Sequence, residues 1–156
     1  MGELEATLAL APLGAQTKIT APPNKYKPSD DVKLGQEAAQ VGAGRALRPQ
    51  DFVFPTYREH GVAWCRGVDP LNLLGLFRGV NHGGWDPYEK NFHLYTIVIG
   101  NQALHGVGYA MGMQRDGREA AVIAYFGDGA SSQGDVNESF IFAASYNAPV
   151  VFFCQN

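Results

Sequence analysis

The sequence predicts an α/β fold in which a parallel sheet is flanked by helices, and three observations lead to this prediction. Residues 121–126 form a short apolar run without polar alternation, which is typical of a strand covered on both faces of a parallel sheet. A second apolar run occupies residues 150–154. Between the two runs, residues 135–146 carry small and apolar side chains at roughly helical spacing. A strand, a helix and a parallel strand therefore follow one another, and we expect a right-handed crossover.

Composition indicates a soluble globular protein and gives no sign of a nucleic-acid or membrane partner. The chain of 156 residues is long enough for one core of ordinary size, with 46% hydrophobic and 17% charged residues. A net charge of −3 with scattered Lys and Arg provides no basic patch for nucleic acid or for an anionic membrane surface. No apolar run approaches membrane-spanning length. Glu3 and Glu5 stand where a signal peptide needs basic residues, so we expect a cytoplasmic protein.

The first part of the chain differs in texture from the rest. Residues 1–33 contain four prolines and no sustained period, which predicts a flexible or weakly ordered arm. From Leu34 onward the sequence changes, and the small residues up to Ala46 predict a closely packed helix. We therefore divide the chain into an arm, residues 1–33, and the N-terminal part of a folded domain, residues 34–156.

Two further strands and two further helices are expected in the middle of the chain. The first of these helices is well marked, because Asp69 can cap it, Pro70 fits its first position and Gly79 can end it. The second helix contains several glycines, which implies close packing against a neighbour. The strands are predicted at residues 51–54 and 93–99, and the helices at residues 70–77 and 101–113.

Three of the predicted strands end in segments whose chemistry favours a phosphate ligand. These segments are residues 56–61, 97–100 and 127–129, and the carboxyl ends of strands in open parallel sheets are where ligands bind. Gly127 and Gly129 let the backbone approach a ligand closely and adopt positive φ, while Asp128 presents a hard oxygen ligand.

A carboxylate beside free helix amides suits a divalent cation that carries a diphosphate, because the cation removes the repulsion that Asp128 alone would create. Arg58 could hold the other diphosphate oxygens as a fork of donors.

Each of these signals also has a simpler interpretation. The Gly-Asp-Gly could be only a turn, Arg58 could form an ion pair with Glu59, and Tyr57 could be an aromatic at a sheet edge. His60 follows Arg58 and is a weak candidate for a catalytic histidine. An ordinary surface or core histidine is an equally good interpretation. The spacing of the histidines fits no zinc site. Cys65 and Cys154 fit no CxxC pattern, so we expect them to be two reduced structural thiols.

Two other phosphate-binding folds fit less well. The glycines at 127, 129 and 134 are spaced two residues too widely for the nicotinamide fingerprint, and no acidic residue ends the next strand. No Gly-Lys-Ser/Thr follows, which excludes a Walker-type phosphate loop.

Longer motifs resemble one family. LGQEAAQVGAG, FPTYREHGVAWCRG and YFGDGASSQGD are similar to the alpha subunit of the decarboxylating first component of 2-oxo acid dehydrogenase complexes, of the branched-chain and pyruvate types. The stretch from GDG to the final QN resembles the thiamine-diphosphate motif, which opens with GDG and closes on a pair of asparagines. The resemblance runs from about Leu34 to Asn156. It implies a transketolase-like thiamine-diphosphate-binding fold, present here as a truncated fragment.

The resemblance also implies roles for individual residues. Asp128 would be a Mg²⁺ ligand, and the second ligand would lie just beyond Asn156. Ile99 would be the apolar wedge that bends the cofactor. The diphosphate would be bound by Tyr57, Arg58, Gly127, Gly129 and Ala130, and the aminopyrimidine ring would meet the backbone of Ile97 and Ile99.

The activity implied is oxidative decarboxylation of a 2-oxo acid, with transfer of the acyl group to lipoyl-lysine of the second component. The substrate favoured by the motifs is 3-methyl-2-oxobutanoate, and pyruvate is the alternative. The family implies a partner beta subunit that supplies the activating glutamate, in a heterotetramer, so we expect this polypeptide alone to be inactive.

A hypothesis of another class is a non-catalytic fragment or subunit-interface piece. We also expect residues 150–154 to form an exposed apolar edge strand in such a fragment.

Overall fold

Three parallel strands form the centre of the molecule. The structure, a computed structural model, describes residues 5–10, 16–20 and 36–155. Strand β3 (Phe52–Phe54) and strand β5 (Val150–Gln155) pair in parallel with the two sides of β4 (Val122–Gly127). Every residue of β4 before Gly127 is buried, as the absence of polar alternation predicted. The predicted α/β class with a parallel sheet flanked by helices is confirmed.

Two strands near the start of the chain extend this sheet. Strand β1 (Glu5–Leu10) pairs antiparallel with β5 and with β2 (Gln16–Thr20), so the described strands follow the order β2-β1-β5-β4-β3. Both strands lie within residues 1–33, the segment predicted to be a flexible arm, and the rest of that segment lies outside the described residues. The prediction that β5 is an exposed edge strand is wrong, because β1 pairs with it. The backbone groups along a free strand edge are a template for pairing, and β1 occupies that template.

The helices largely follow the predictions. Asp69 caps its helix by accepting a hydrogen bond from the Leu71 amide at 2.8 Å, and Pro70 takes the first helical position. One short helix beginning at His60 and another beginning at Pro87 were not predicted. The bounds are α1 Glu37–Ala46, α2 His60–Cys65, α3 Pro70–Phe77, α4 Pro87–Lys90, α5 Asn101–Arg115 and α6 Gly134–Tyr146.

Helix α5 lies close to the sheet at Gly106. A Cβ atom at Gly106 would lie 3.4 Å from the Ala124 side chain and 3.5 Å from the ring of Phe54. Val107 and Ala110 join these residues in the core on this side of the sheet. The close packing predicted from the glycines of this helix is therefore found at Gly106.

The opposite face of the sheet shares a core with α1 and α2. Ile123 and Phe153 on this face belong to the same core cluster as Ala43 of α1 and Val62 of α2. Both cysteines in the described residues are free, as expected. No helix in the described part of the chain is both long and apolar enough to cross a membrane.

The strand predicted at residues 93–99 is absent from the described structure. Phe92 forms a single bridge with Val53, and the His93 amide donates to the Val53 carbonyl at 2.8 Å. The chain then leaves the sheet, and Ile97, whose apolar neighbours suggested a buried strand, is 68% exposed. Because β3 has three residues, it offers too short a template for a longer partner strand.

Gly100 ends this exposed segment and starts α5. Its φ is +88°, and a Cβ atom there would lie 3.1 Å from Cγ2 of Val136. Both the left-handed backbone and the close contact with α6 therefore require glycine.

We expect Gly100→Ala to lower the free energy of unfolding by about 2 kcal/mol, through backbone strain and overpacking. Gly112→Ala is the matched control, since it lies within α5 and a Cβ atom there meets nothing within 4 Å. We expect the control to raise stability by about 0.5–1 kcal/mol. Urea unfolding of both variants measures these effects, and equal stabilities would contradict the role of Gly100.

Candidate functional site

A cavity of about 310 Å³ lies at the carboxyl ends of the three parallel strands. Its walls come from the loop after β3, the segment before α5 and the turn after β4. The convergence of these segments at one edge is as predicted, although residues 97–100 arrive there as a loop instead of a strand. Of the residues singled out in the sequence, the wall contains Tyr57, Arg58, Ile99, Gly127, Gly129 and Ala130.

Three other predicted residues are not part of this wall. Asp128 is exposed and stands between two wall residues, at the start of the turn that follows β4. Ile97 is exposed to solvent. His60 places Nδ1 2.8 Å from the hydroxyl of Tyr95, and partial burial together with the positive charge of Arg58 lowers its pKa.

The turn after β4 contributes two residues, Gly129 and Ala130, to the cavity wall. Residues Asp128–Ser132 form a 3₁₀ turn, and the first N–H groups of such a turn have no partner within it. The Ser131 hydroxyl donates to the Asp128 carbonyl at 2.6 Å, and the Asn137 side-chain amide donates to the Ser131 carbonyl at 3.1 Å. These bonds hold a turn whose N-terminal end favours anionic oxygen.

The glycines of this turn act differently from the prediction. Gly127 has φ −84°, and neither it nor Gly129 is among the described residues with positive φ, so that part of the prediction is wrong. A Cβ atom at Gly129 would meet nothing within 4 Å. Because Gly129 also lines the cavity, the missing side chain leaves open space in which a ligand can approach the backbone.

Arg58 lines the same cavity and is available to a ligand. Its guanidinium carbon lies 5.2 Å from the ring centroid of Tyr57, a cation–π arrangement, and the side chain is exposed. The ion pair with Glu59 that the sequence allowed does not form in the described structure. Glu59 points inward instead and is 2% exposed.

Glu59 belongs to a buried polar network that the sequence did not reveal. Its carboxylate accepts hydrogen bonds from the Thr56 amide and, at 2.8 Å, from the side-chain amide of Gln155. Gln40 of α1 in turn donates to Gln155 Oε1 at 3.2 Å. Burial raises the pKa of the Glu59 carboxyl, and the hydrogen bonds from Thr56 and Gln155 oppose that shift.

A further unpredicted residue, Gln102, holds an unsatisfied acceptor. Its Nε2 donates to the Tyr125 carbonyl at 2.7 Å, which fixes the orientation of the amide because a carbonyl requires a donor. Gln102 Oε1 is buried and has no hydrogen-bond partner within the described residues, and the side chain lines the cavity. A buried acceptor of this kind needs a ligand or water donor to be satisfied.

The described residues contain no group of three or more His, Cys, Asp or Glu side chains that could hold a metal ion by themselves. Asp128 therefore offers a single carboxylate. A second cavity, of about 360 Å³, lies elsewhere against α5 and is mainly aromatic, with Phe52, Tyr88, His105 and Tyr109 in its wall. It contains none of the residues predicted to bind phosphate.

Comparison with known proteins gives a consistent result. Residues 24–156 match the model of the family described as dehydrogenase E1 component. The chain is 47% identical over 122 residues to the 3-methyl-2-oxobutanoate dehydrogenase subunit alpha of Mycobacterium tuberculosis. The aligned region covers 78% of this chain and 33% of that protein.

Two further relatives are alpha subunits of dehydrogenases with other names. The pyruvate dehydrogenase E1 component subunit alpha of Bacillus subtilis is 41% identical over 123 residues, covering 78% of this chain and 33% of that protein. The mitochondrial 2-oxoisovalerate dehydrogenase subunit alpha of Caenorhabditis elegans is 38% identical over 136 residues, and the aligned region covers 80% of this chain and 31% of that protein. The chain spans about a third of the length of these relatives. With a family model matching residues 24–156, the chain belongs to the dehydrogenase E1 component family.

Proposed function

We propose that this chain holds thiamine diphosphate and Mg²⁺ at the carboxyl edge of its sheet, as part of the alpha subunit of a 2-oxo acid dehydrogenase. The dehydrogenase E1 family depends on thiamine diphosphate. The observation that carries the proposal is that Arg58 lines the same cavity as Gly129 and Ala130, two residues of the turn that starts at Asp128.

The residues of the cavity fit the diphosphate. Arg58 supplies a planar fork of donors, and the amides of Gly129 and Ala130 lie at the start of a helical turn. The open space at Gly129 allows oxygen atoms to come close to the backbone. The site thus combines a cation, backbone donors and room, which are the three features that a diphosphate requires.

A single carboxylate suits Mg²⁺ at this position. Mg²⁺ is commonly bound through one or two carboxylates together with substrate phosphates and water. Asp128 would provide such a ligand next to the backbone amides of Gly129 and Ala130, which would bind the diphosphate. The cation would in turn neutralise the repulsion between this carboxylate and the phosphate oxygens.

The remaining wall fits the organic part of the cofactor. Ile99 offers an apolar surface and is 57% exposed in this chain. The unpartnered Oε1 of Gln102 needs a donor, and the amino group of the pyrimidine ring is the N–H donor that thiamine diphosphate carries. We assign Ile99 to packing against the rings and Gln102 to accepting a hydrogen bond in this cavity.

The bound cofactor would supply the electron sink that allows a 2-oxo acid to lose carbon dioxide. The residues of this chain would bind and orient it, and His60 would stay outside the wall in its contact with Tyr95. We further propose that a beta subunit and a lipoyl-bearing second component complete the system. Exposed apolar side chains on α3 and α6, such as Leu71 at 71% and Ile141 at 58%, support a protein partner.

The proposed substrate is 3-methyl-2-oxobutanoate, supported by the 47% identity to a subunit named for that acid. Pyruvate is the second candidate, supported by the 41% identity to a pyruvate dehydrogenase subunit.

We expect Arg58→Lys to weaken Mg²⁺–thiamine diphosphate binding about tenfold, the effect of losing roughly one charge-assisted hydrogen bond. Lysine keeps the charge but loses the fork geometry. Arg118→Lys, in the exposed turn before β4, is the matched control and should bind as the unsubstituted chain does. Titration calorimetry compares the three proteins, and equal affinities would argue against a diphosphate contact at Arg58.

We expect Asp128→Asn to remove most of the stimulation of cofactor binding by Mg²⁺, because the amide is a weaker ligand for a hard cation than the carboxylate. Asp135→Asn removes a carboxylate from the first turn of α6 and should leave the stimulation intact. The measurement is cofactor affinity with Mg²⁺ and after its removal by chelator. Full stimulation in Asp128→Asn would refute the metal assignment.

For the complex with the beta subunit, we expect kcat/KM for 3-methyl-2-oxobutanoate to exceed that for pyruvate by at least about tenfold, as a pocket shaped for a branched chain allows. Steady-state rates of carbon dioxide release test this expectation. A preference for pyruvate would select the second candidate.

A further inference from the structure

The loop that carries Tyr57 and Arg58 is anchored by side chains from outside it. The Thr56 amide donates to Glu59, and the Gly61 amide donates to Oε1 of Gln40 at 3.1 Å. The Arg58 carbonyl accepts from Nε2 of Gln40 at 3.1 Å. Backbone groups before and after the Tyr57-Arg58 pair are thus held by two buried side chains.

These two anchors are joined through the end of β5. Gln155 donates to Glu59 at 2.8 Å and accepts from Gln40 at 3.2 Å. The three side chains are 5%, 2% and 7% exposed for Gln40, Glu59 and Gln155. We call this unit the Gln40–Glu59–Gln155 network.

We propose that the Gln40–Glu59–Gln155 network positions Tyr57 and Arg58 for the diphosphate by locking the loop after β3 to α1 and β5. The inference rests on the proposed function for the identity of the ligand. Glu59 and Gln155 also line the cavity, but the hydrogen bonds of all three network residues go to the loop and to one another, so we assign them a positioning role.

The direction of every hydrogen bond in the network is fixed. At one end the Thr56 amide can only donate, so Glu59 must accept there. At the other end the Gly61 amide can only donate and the Arg58 carbonyl can only accept, so the Gln40 amide has one permitted orientation. Gln155 lies between these ends and must donate toward Glu59 while accepting from Gln40.

A single substitution therefore breaks the network, whereas a reciprocal one restores it. In Glu59→Gln one contact becomes donor to donor, and flipping the amides only moves the mismatch along the network. In Gln155→Glu two carboxyl groups face each other, and at a pH that ionises both of them neither can donate, so they repel. In the double variant Glu59→Gln with Gln155→Glu, Gln donates where Glu accepted, and all the hydrogen-bond directions are again satisfied.

Hydrogen exchange of the Thr56 and Gly61 amides tests the network in the full chain without ligand. At a pH that ionises both carboxyl groups of Gln155→Glu, we expect each single variant to exchange faster by roughly tenfold, on the scale of one mismatched buried hydrogen bond. We expect the double variant to return to the original rates. Glu119→Gln removes an exposed carboxylate elsewhere and is the charge control. A double variant as fast as the single variants would overturn the network as described.

The positioning role is tested with inorganic diphosphate in the presence of Mg²⁺. We expect about tenfold weaker binding in each single variant and recovery in the double variant, parallel to the exchange rates. Unaltered diphosphate affinity in the single variants, together with binding by the original chain, would overturn the positioning role alone. No diphosphate binding by the original chain would overturn the proposed function and the positioning role together, while the exchange rates would still report on the network.

Discussion

The pairing of β4 with β3 on one side and β5 on the other is the constraint on which the site depends. All three strands run in parallel, so their carboxyl ends meet at one edge. The loop with Tyr57 and Arg58 leaves that edge from β3, and the turn that starts at Asp128 leaves it from β4. Because β4 is buried almost throughout, its direction and register are set by core packing, and the position of the turn follows from them.

The parts of the fold with strong local signals could be predicted from the sequence. Strand β4, the cap at Asp69 and the glycine-bearing α5 are each specified by side chains within a few residues of one another. The pairing of β1 with β5 has no such signal, because it depends on a strand edge far away in the chain. The strand expected at residues 93–99 did not form, although its apolar residues suit a strand, because β3 beside it has only three residues.

The same distinction applies to the site. Arg58 and the turn at Asp128 could be predicted from the sequence, because the motif that marks each of them lies within a few neighbouring residues. The burial of Glu59 could not be predicted from its neighbour Arg58, since its side-chain partner is Gln155, which is distant in sequence. Gln102 likewise gave no signal, because its unsatisfied oxygen becomes visible only when its amide is seen bonded to the Tyr125 carbonyl. Buried polar pairs of this kind are properties of the packed fold.

The most direct test of the diphosphate site is a map of backbone amide NMR shifts on addition of inorganic diphosphate and Mg²⁺. The described geometry predicts the largest changes at Arg58, Gly129 and Ala130, with little change at Tyr88 and His105 in the aromatic cavity. Changes centred on Tyr88 and His105, with Gly129 and Ala130 unaffected, would contradict the account.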